Sequence, residues 1–274
     1  MEFSLGLSPC PNDTYIFYGL LHQSIDTLGL SFRPHFADVA ELNSMAYQKK
    51  LDVTKISYNA FLDLTDSHVL LNAGGALGRS CGPLLIAAEP LAAEDLKAKR
   101  IAIPGEKTTA NFLLDYYLPE DLQKVTMRFD QIEDAILSKK VDAGVIIHEN
   151  RFTYSQRGLV AIQDLGLHWE KSTGCPIPLG GIIAKRSIDL NVLRTVDRLI
   201  AASLTYAHDH RAEVLPFVRQ YAQEMEESVI WQHIDLYVNE FSQDLGSDGR
   251  KAIDQLFTVA QQRKRIKAYR SPFL

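Results

Sequence analysis

The chain has 274 residues, 46% of them hydrophobic and 23% charged, which is ordinary globular composition with material for one large or two medium domains. Its 34 acidic and 29 basic side chains leave a net charge of −5, which argues against nucleic acid as a partner because phosphate binding needs a basic face. No stretch approaches the ~18 uninterrupted apolar residues of a membrane span, and the opening MEFSLGLSPC lacks the basic lead of a secretory signal. The three cysteines, Cys10, Cys81 and Cys175, have no CxxC spacing and signal neither a disulfide framework nor a zinc knuckle. The expectation is a soluble cytoplasmic protein with no membrane partner, metal or cofactor; a homodimer is left open.

Periodicity predicts a strand at Phe3–Leu7, a helix at Thr14–His22 capped by Asp13 or Thr14, and a strand at Leu30–Phe36. A helix at Val39–Lys49 and a strand at Asp52–Ser57 follow. The same order then returns: strand Arg100–Ile103, helix Thr109–Tyr117, strand Val125–Phe129, helix Ile132–Lys139 and strand Val141–Ile147. The echo extends to residues, since LGLSPCPNDTYIFYGLL lies beside IAIPGEKTTANFLLDYYL and KKLDVTKIS beside KKVDAGVIIH. Strands at Leu159–Asp164 and Gly180–Lys185 are expected to complete the second lobe. Helices at Val192–His208, Glu213–Glu224, Ser228–Phe241 and Asp248–Lys264 are expected to pack on the first.

The predicted fold is α/β and two-lobed, with a central cleft and parallel sheets covered on both faces. The first lobe would comprise residues 1–88 and 187–274 and the second 89–186, with crossings near Pro83–Pro90 and Pro178–Lys185. Strand carboxyl ends and helix N-termini of both lobes would then face one cleft, gathering Ser8–Thr14, Lys55–Ser57, Glu106–Ala110 and Ile147–Glu149.

Candidate chemistry lies in those segments. In SPCPNDT, Pro9 and Pro11 remove two donors, and the helix end with Asn12 can meet an anion. Cys10 there reads as a nucleophile or, more simply, as the wall of a ligand site. In PGEKTTANFLL, Thr108 or Thr109 caps a helix, and the small Ala110 lets a carboxylate approach the amides. In GVIIHENRFTY, His148 ends a buried strand at the cleft, either as a general base with a pKa near neutrality or as a structural histidine. Glu149 beside it either orients the imidazole or only favours the next helix. Lys55 inside an apolar strand needs a polar reason, and Lys55, Ile56 and Ser57 occupy the matching place in the first lobe. GGALGRSCGP reads as a flexible crossover in preference to a phosphate cradle, with Arg79 a candidate carboxylate clamp. The basic run Arg263-Lys264-Arg265 reads as favouring the end of its own helix.

Taken together, SPCPNDT, VTKISYNAF, GGALGR, the PGEKTTANFLL helix start, GVIIHENRFTY, CPIPLGG and the late VIWQHIDLYVNEFS resemble the 1,4-dihydroxy-6-naphthoate synthase family of the futalosine route to menaquinone. The resemblance covers nearly the whole chain. It implies the two-lobed fold of type II periplasmic binding proteins and a carbon–carbon lyase. The small-molecule carboxylate cyclic dehypoxanthine futalosine would be cleaved to 1,4-dihydroxy-6-naphthoate and a three-carbon fragment. By the same resemblance the catalytic base falls on His148, and substrate contacts fall on Lys55-Ile56-Ser57 and Thr109-Ala110. The rival readings are a non-catalytic small-molecule binder, the sister enzyme chorismate dehydratase, and a hydrolase or transferase dependent on Cys10.

Overall fold

The computed structural model describes residues 1–118, 121–222 and 226–274. The first half runs β1 (Glu2–Leu7), α1 (Pro11–Leu21), β2 (Ser31–Phe36), α2 (Val39–Tyr47), β3 (Val53–Ser57), α3 (Tyr58–Phe61), β4 (His68–Leu70), β5 (Ala76–Gly78) and β6 (Leu84–Ala87). The second runs β7 (Arg100–Ile103), α4 (Thr109–Tyr117), β8 (Gln123–Thr126), α5 (Ile132–Leu137), β9 (Ala143–Ile146), α6 (Asn150–Thr153), β10 (Val160–Asp164), α7 (Leu165–Thr173) and β11 (Ile177–Lys185). Helices close the chain: α8 (Leu190–Asp209), α9 (Arg211–Tyr221), α10 (Glu227–Tyr237), α11 (Glu240–Gln243) and α12 (Gly246–Gln262). The expected helix end at Glu224 lies outside the described residues.

Among the described residues there are two sheets, ordered β2-β1-β3-β11-β4 with β5 also on β11, and β10-β6-β9-β7-β8. Each contains the same parallel trio. Leu5 pairs with Val53 and Gly6 with Thr54 in the first, as Ile101 pairs with Ala143 and Ala102 with Gly144 in the second. The echo also holds at helix ends. Lys49 and Lys139 both take left-handed φ values, 53° and 58°. The N–H of Lys49 bonds to Ala46 and that of Lys50 to Met45, and the N–H groups of Lys139 and Lys140 bond to Ile136 and Ala135 in the same pattern. Each Lys-Lys pair is therefore the same Schellman stop, turning a helix into the strand that begins three residues later.

The sheets are mixed, which corrects the expectation of parallel sheets. β6 runs antiparallel to β9, and β11 runs antiparallel to β3. Each crossing strand thus joins the sheet of the opposite half, so 84–87 belongs with the second sheet and 177–185 with the first, contrary to the strand assignment read from sequence. Crossing strands satisfy their backbone groups only by extending the sheet they arrive at.

Apolar residues of α8, α9 and α10, including Leu193, Val196, Val214, Val218, Ile230 and Ile234, pack with Leu5, Leu7, Tyr15 and Ile16 of the first half. α12 does more than cover that lobe. Arg263 donates to the carbonyls of Asp115 and Tyr116 in the last turn of α4, and its guanidinium lies 4.7 Å from the Tyr116 ring centroid. Arg263 of the basic run therefore caps a helix of the other half, where unsatisfied carbonyls and the negative dipole end attract a cation. The stretch expected as one helix over Ser228–Phe241 breaks after Tyr237, and Asn239 caps α11 through a capping box.

Candidate active site

Helix α1 starts three residues earlier than its expected first residue, at Pro11, whose missing N–H costs nothing at the first helical position. Asp13 is then inside the first turn and does not cap it through its own backbone. Its Oδ2 accepts from the N–H and Oγ of Ser8, at 3.0 and 2.7 Å. The side-chain Nδ2 of Asn12 donates to Oδ1 of Asp13 at 2.7 Å, and the ammonium of Lys55 lies 2.8 Å from that same oxygen. The lysine inside β3 is thus the counter-ion of a fully buried carboxylate, which is the polar reason the sequence demanded.

A cleft of about 670 Å³, its open mouth included, lies between the two sheets. Asn12, Lys55, Ile56, Ser57, Thr108, Thr109, Ala110 and His148 all line it. Helices α1, α2 and α4 point their N-termini towards it, so first-turn amides that a helix cannot satisfy internally face the space. The segment after β7 is tied to the first half: Asn59 Nδ2 donates to the carbonyls of Glu106 and Thr108, and Lys107 pairs with Asp63 at 2.7 Å.

Several candidate side chains are committed to structure. Thr108 caps α4 by accepting from Asn111 N–H and donates to the Gly105 carbonyl. Thr109 donates to the Leu179 carbonyl on β11 at 2.6 Å. Ser57 is fixed by Asn43, which donates to its Oγ and accepts from its N–H. Lys55 spends one donor on Asp13 and one on the Gly74 carbonyl at 3.3 Å, which leaves the third of its three donors. What Thr109 and Ala110 leave to the cleft is therefore backbone, and what Lys55 and Ser57 leave is one remaining proton each.

Arg79 lies outside the cleft, which corrects its reading as a carboxylate clamp. The turn after β5 carries it to the surface, where it lies 3.6 Å from Glu170 and donates to the Gly174 carbonyl. The surrounding glycine-rich stretch carries a short strand and a close backbone contact. Residues 76–78 form β5 against β11, and Gly82 packs on Gly166 so closely that a Cβ there would sit 2.3 Å from the Gly166 Cα.

His148 follows β9 with φ 58°, a left-handed conformation that costs a non-glycine residue of order 1–3 kcal/mol and marks a site where the fold imposes the geometry. Its ring is half-buried at the cleft, edge-on to Phe129 and stacked 6.1 Å from the ring of His233. Burial, with a smaller contribution from Lys55, pushes its pKa down to about 4 against the opposing pull of Asp13 and Asp38. The imidazole is therefore neutral at physiological pH, with a pKa well below the near-neutral value expected from sequence.

Nδ1 of His148 lies 3.4 Å from Cys10 Sγ. Burial, together with the charges of Glu149 and Asp13, holds that thiol well above its usual range, which makes it a poor nucleophile. Donor atoms of Cys10, His148 and Glu149 lie within 4.8 Å of one another, and among the described residues they form the one such group able to approach a metal ion. The sulfur–nitrogen contact already satisfies two of the three as a hydrogen bond.

The sequence reading missed His233 and Tyr237, both of which line the cleft from α10. His233 is fully buried; its Nε2 lies 3.0 Å from Asn12 Oδ1 and its Nδ1 3.7 Å from Glu149 Oε2. The available signal was their spacing, because residues four apart in a helix share a face.

Comparison with known proteins agrees with this architecture. The family model described as menaquinone biosynthesis matches residues 3–262. The chain belongs to the menaquinone biosynthesis family. A relative from Thermus thermophilus named 1,4-dihydroxy-6-naphtoate synthase is 44% identical over 94% of each chain. One of the same name from Streptomyces coelicolor is 43% identical over 93% of this chain and 92% of the relative. The crystal structure of a protein from Archaeoglobus fulgidus superposes with a TM-score of 0.92 at 30% identity, covering 97% of this chain and 98% of that one. The alkanesulfonate-binding protein SsuA of Xanthomonas axonopodis superposes with a TM-score of 0.73 at 15% identity, over 97% of this chain and 94% of its own. At that identity the likeness is one of fold, and this menaquinone-family chain shares the fold of periplasmic binding proteins. Among the described residues no helix is long and apolar enough to cross a membrane.

Proposed function

We propose that this protein is a 1,4-dihydroxy-6-naphthoate synthase, a carbon–carbon lyase of menaquinone biosynthesis. It would cleave cyclic dehypoxanthine futalosine to 1,4-dihydroxy-6-naphthoate with release of a three-carbon fragment. The observation that carries the mechanism is the position of His148, a neutral imidazole on a wall of the cleft between the sheets. Identity of 43–44% to two named synthases supports the choice of reaction.

In this reading the aromatic carboxylate lies against the backbone amides at Thr109 and Ala110, where helix α4 offers unsatisfied N–H groups and positive potential. The remaining protons of Lys55 and Ser57 meet the sugar-derived oxygens. His148 removes a substrate proton, a carbon–carbon bond breaks in a retro-aldol manner, and rearomatisation drives the cleavage. The two sheets act as lobes, with β6 and β11 exchanged between them, and close on the substrate to exclude water. The cytoplasm, where small biosynthetic intermediates are handled, is the compartment this reading assigns.

The test is incubation of the purified protein with cyclic dehypoxanthine futalosine and, separately, with chorismate, following product absorbance. Formation of 1,4-dihydroxy-6-naphthoate is expected from the first and no product from the second. Binding of the first without turnover would overturn the synthase reading in favour of a binding protein.

A further inference from the structure

We propose that Cys10 is the positioning residue of the base: its sulfur accepts the Nδ1–H of His148 and thereby selects the tautomer whose Nε2 lone pair faces the cleft. This rests on the reading of His148 as the base. The geometry supplies the argument. Cys10 is buried and absent from the cleft wall, whereas His148 is half-buried and lines it, so the ring edge opposite Nδ1 is the one that meets the cleft. A separation of 3.4 Å suits a hydrogen bond to sulfur, whose radius is larger than that of oxygen.

A neutral imidazole carries one proton, and its location depends on the partner of the other nitrogen. Were the thiol to donate to Nδ1, the proton of the ring would stand on Nε2 and the cleft would face a donor with no basic lone pair. A stronger acceptor than Nδ1 is close to that thiol. A carboxylate oxygen of Glu149 lies within 4.8 Å of both Sγ and the histidine nitrogen, and a charged acceptor forms the stronger hydrogen bond. In the proposed arrangement the S–H turns towards Glu149, and the sulfur lone pair is left for Nδ1–H. The proton balance through the step is simple. The substrate's proton passes to Nε2, the ring becomes an imidazolium that keeps its Nδ1–H on sulfur, and the thiol retains its own proton throughout.

Neighbouring contacts hold the arrangement in place. His233 stacks on the ring of His148, and the orientation of His233 is itself determined by donor and acceptor arithmetic. The carboxylate of Asp13 can only accept, so Asn12 must turn Nδ2 towards it and Oδ1 towards His233, whose Nε2 must then be the donor. Cys10 precedes α1 in the first half and His148 follows β9 in the second. The tautomer is therefore a product of the two halves meeting.

The test is the long-range proton–nitrogen correlation spectrum of the full chain labelled at histidine, with the His148 signals assigned through His148→Gln. The Nδ1-protonated pattern is expected in the wild type, and a mixture of tautomers in Cys10→Ala. Cys10→Ser, which keeps an acceptor at that position, should restore the wild-type pattern. Turnover should follow, with kcat down about three- to tenfold in Cys10→Ala, the scale of one modest hydrogen bond, and KM within about twofold. A wild-type spectrum showing His148 protonated on Nε2 would overturn the proposal, as would an unchanged tautomer in Cys10→Ala. Loss of the base reading would appear separately, as undiminished turnover in His148→Gln, and would leave the spectrum intact.

Discussion

The ammonium of Lys55 and the carboxylate of Asp13 lie 2.8 Å apart in the interior, with 7% and 0% of their side chains exposed. Neither charge tolerates the loss of the other, because an unpaired buried ion costs about 3–5 kcal/mol. Lys55→Met should therefore lower the stability measured by urea denaturation by about that amount. Adding Asp13→Asn to it should recover part of the loss. A double variant no more stable than Lys55→Met would show that the pair is not coupled.

His148→Gln preserves the size and polarity of the side chain but removes the base. A positioned general base contributes about 10²–10⁴-fold, so kcat should fall by that factor with KM little altered. Steady-state kinetics with the cyclic futalosine derivative measure both, and turnover equal to wild type would exclude His148 from the chemistry.

The pH profile follows from the same residue. With its pKa pushed down to about 4, His148 is already unprotonated at pH 6, so kcat/KM should stay level from pH 8 to about 5. Below that it should fall as the ring acquires its proton, in the presence of Asp13, Asp38, Lys55, Cys10, Glu149 and His233 around it. An acid limb centred near 6.5 would contradict the structure.

His68 on β4 is buried, and its pKa is also pushed down to about 4, chiefly by desolvation and further by Lys185, Lys49 and Arg186. The unfolded chain protonates this group near 6.5, so between pH 6.5 and 4 it binds more protons than the native state. Stability should therefore fall as pH drops through that window, by about 2 kcal/mol at pH 5 from this residue. In His68→Leu the slope of Tm against pH from 7 to 5 should be shallower, as read by circular dichroism. An unchanged slope would remove His68 from the acid response.

Gly82 and Gly166 let the chain entering β6 touch the start of α7 backbone to backbone. A methyl group at Gly82 would lie 2.3 Å from the Cα and 2.7 Å from the nitrogen of Gly166, and neither atom can rotate away. Overpacking of this kind costs about 1–3 kcal/mol, so Gly82→Ala should lower Tm by several degrees. A Tm within one degree of wild type, on the order of the noise in such scans, would mean that the contact gives way easily.

Much of this architecture was legible in the chain itself. The Lys-Lys-apolar-Asp pattern near 49–52 and 139–142 marked the duplicated stops, and both proved to be left-handed turns of the same kind. Ile147-His148-Glu149 marked the cleft because a polar residue ending an apolar strand has little reason to be there otherwise. Arg79 misled because a basic residue among glycines has the composition of an anion site, while its partner Glu170 is ninety-one residues away. His233 went unread for a related reason: a lone histidine in an amphipathic helix looks like any other until the helix is docked.

Local patterning, then, determined the alternation of strands and helices, the internal repeat, and which segments end at helix N-termini, because each depends on neighbours within a few residues. Only the tertiary structure decided that β6 and β11 change sheets, that Lys55 answers Asp13, and that Cys10 touches His148. Those pairings join residues scores of positions apart, and their energies arise from burial, which no short window of sequence contains.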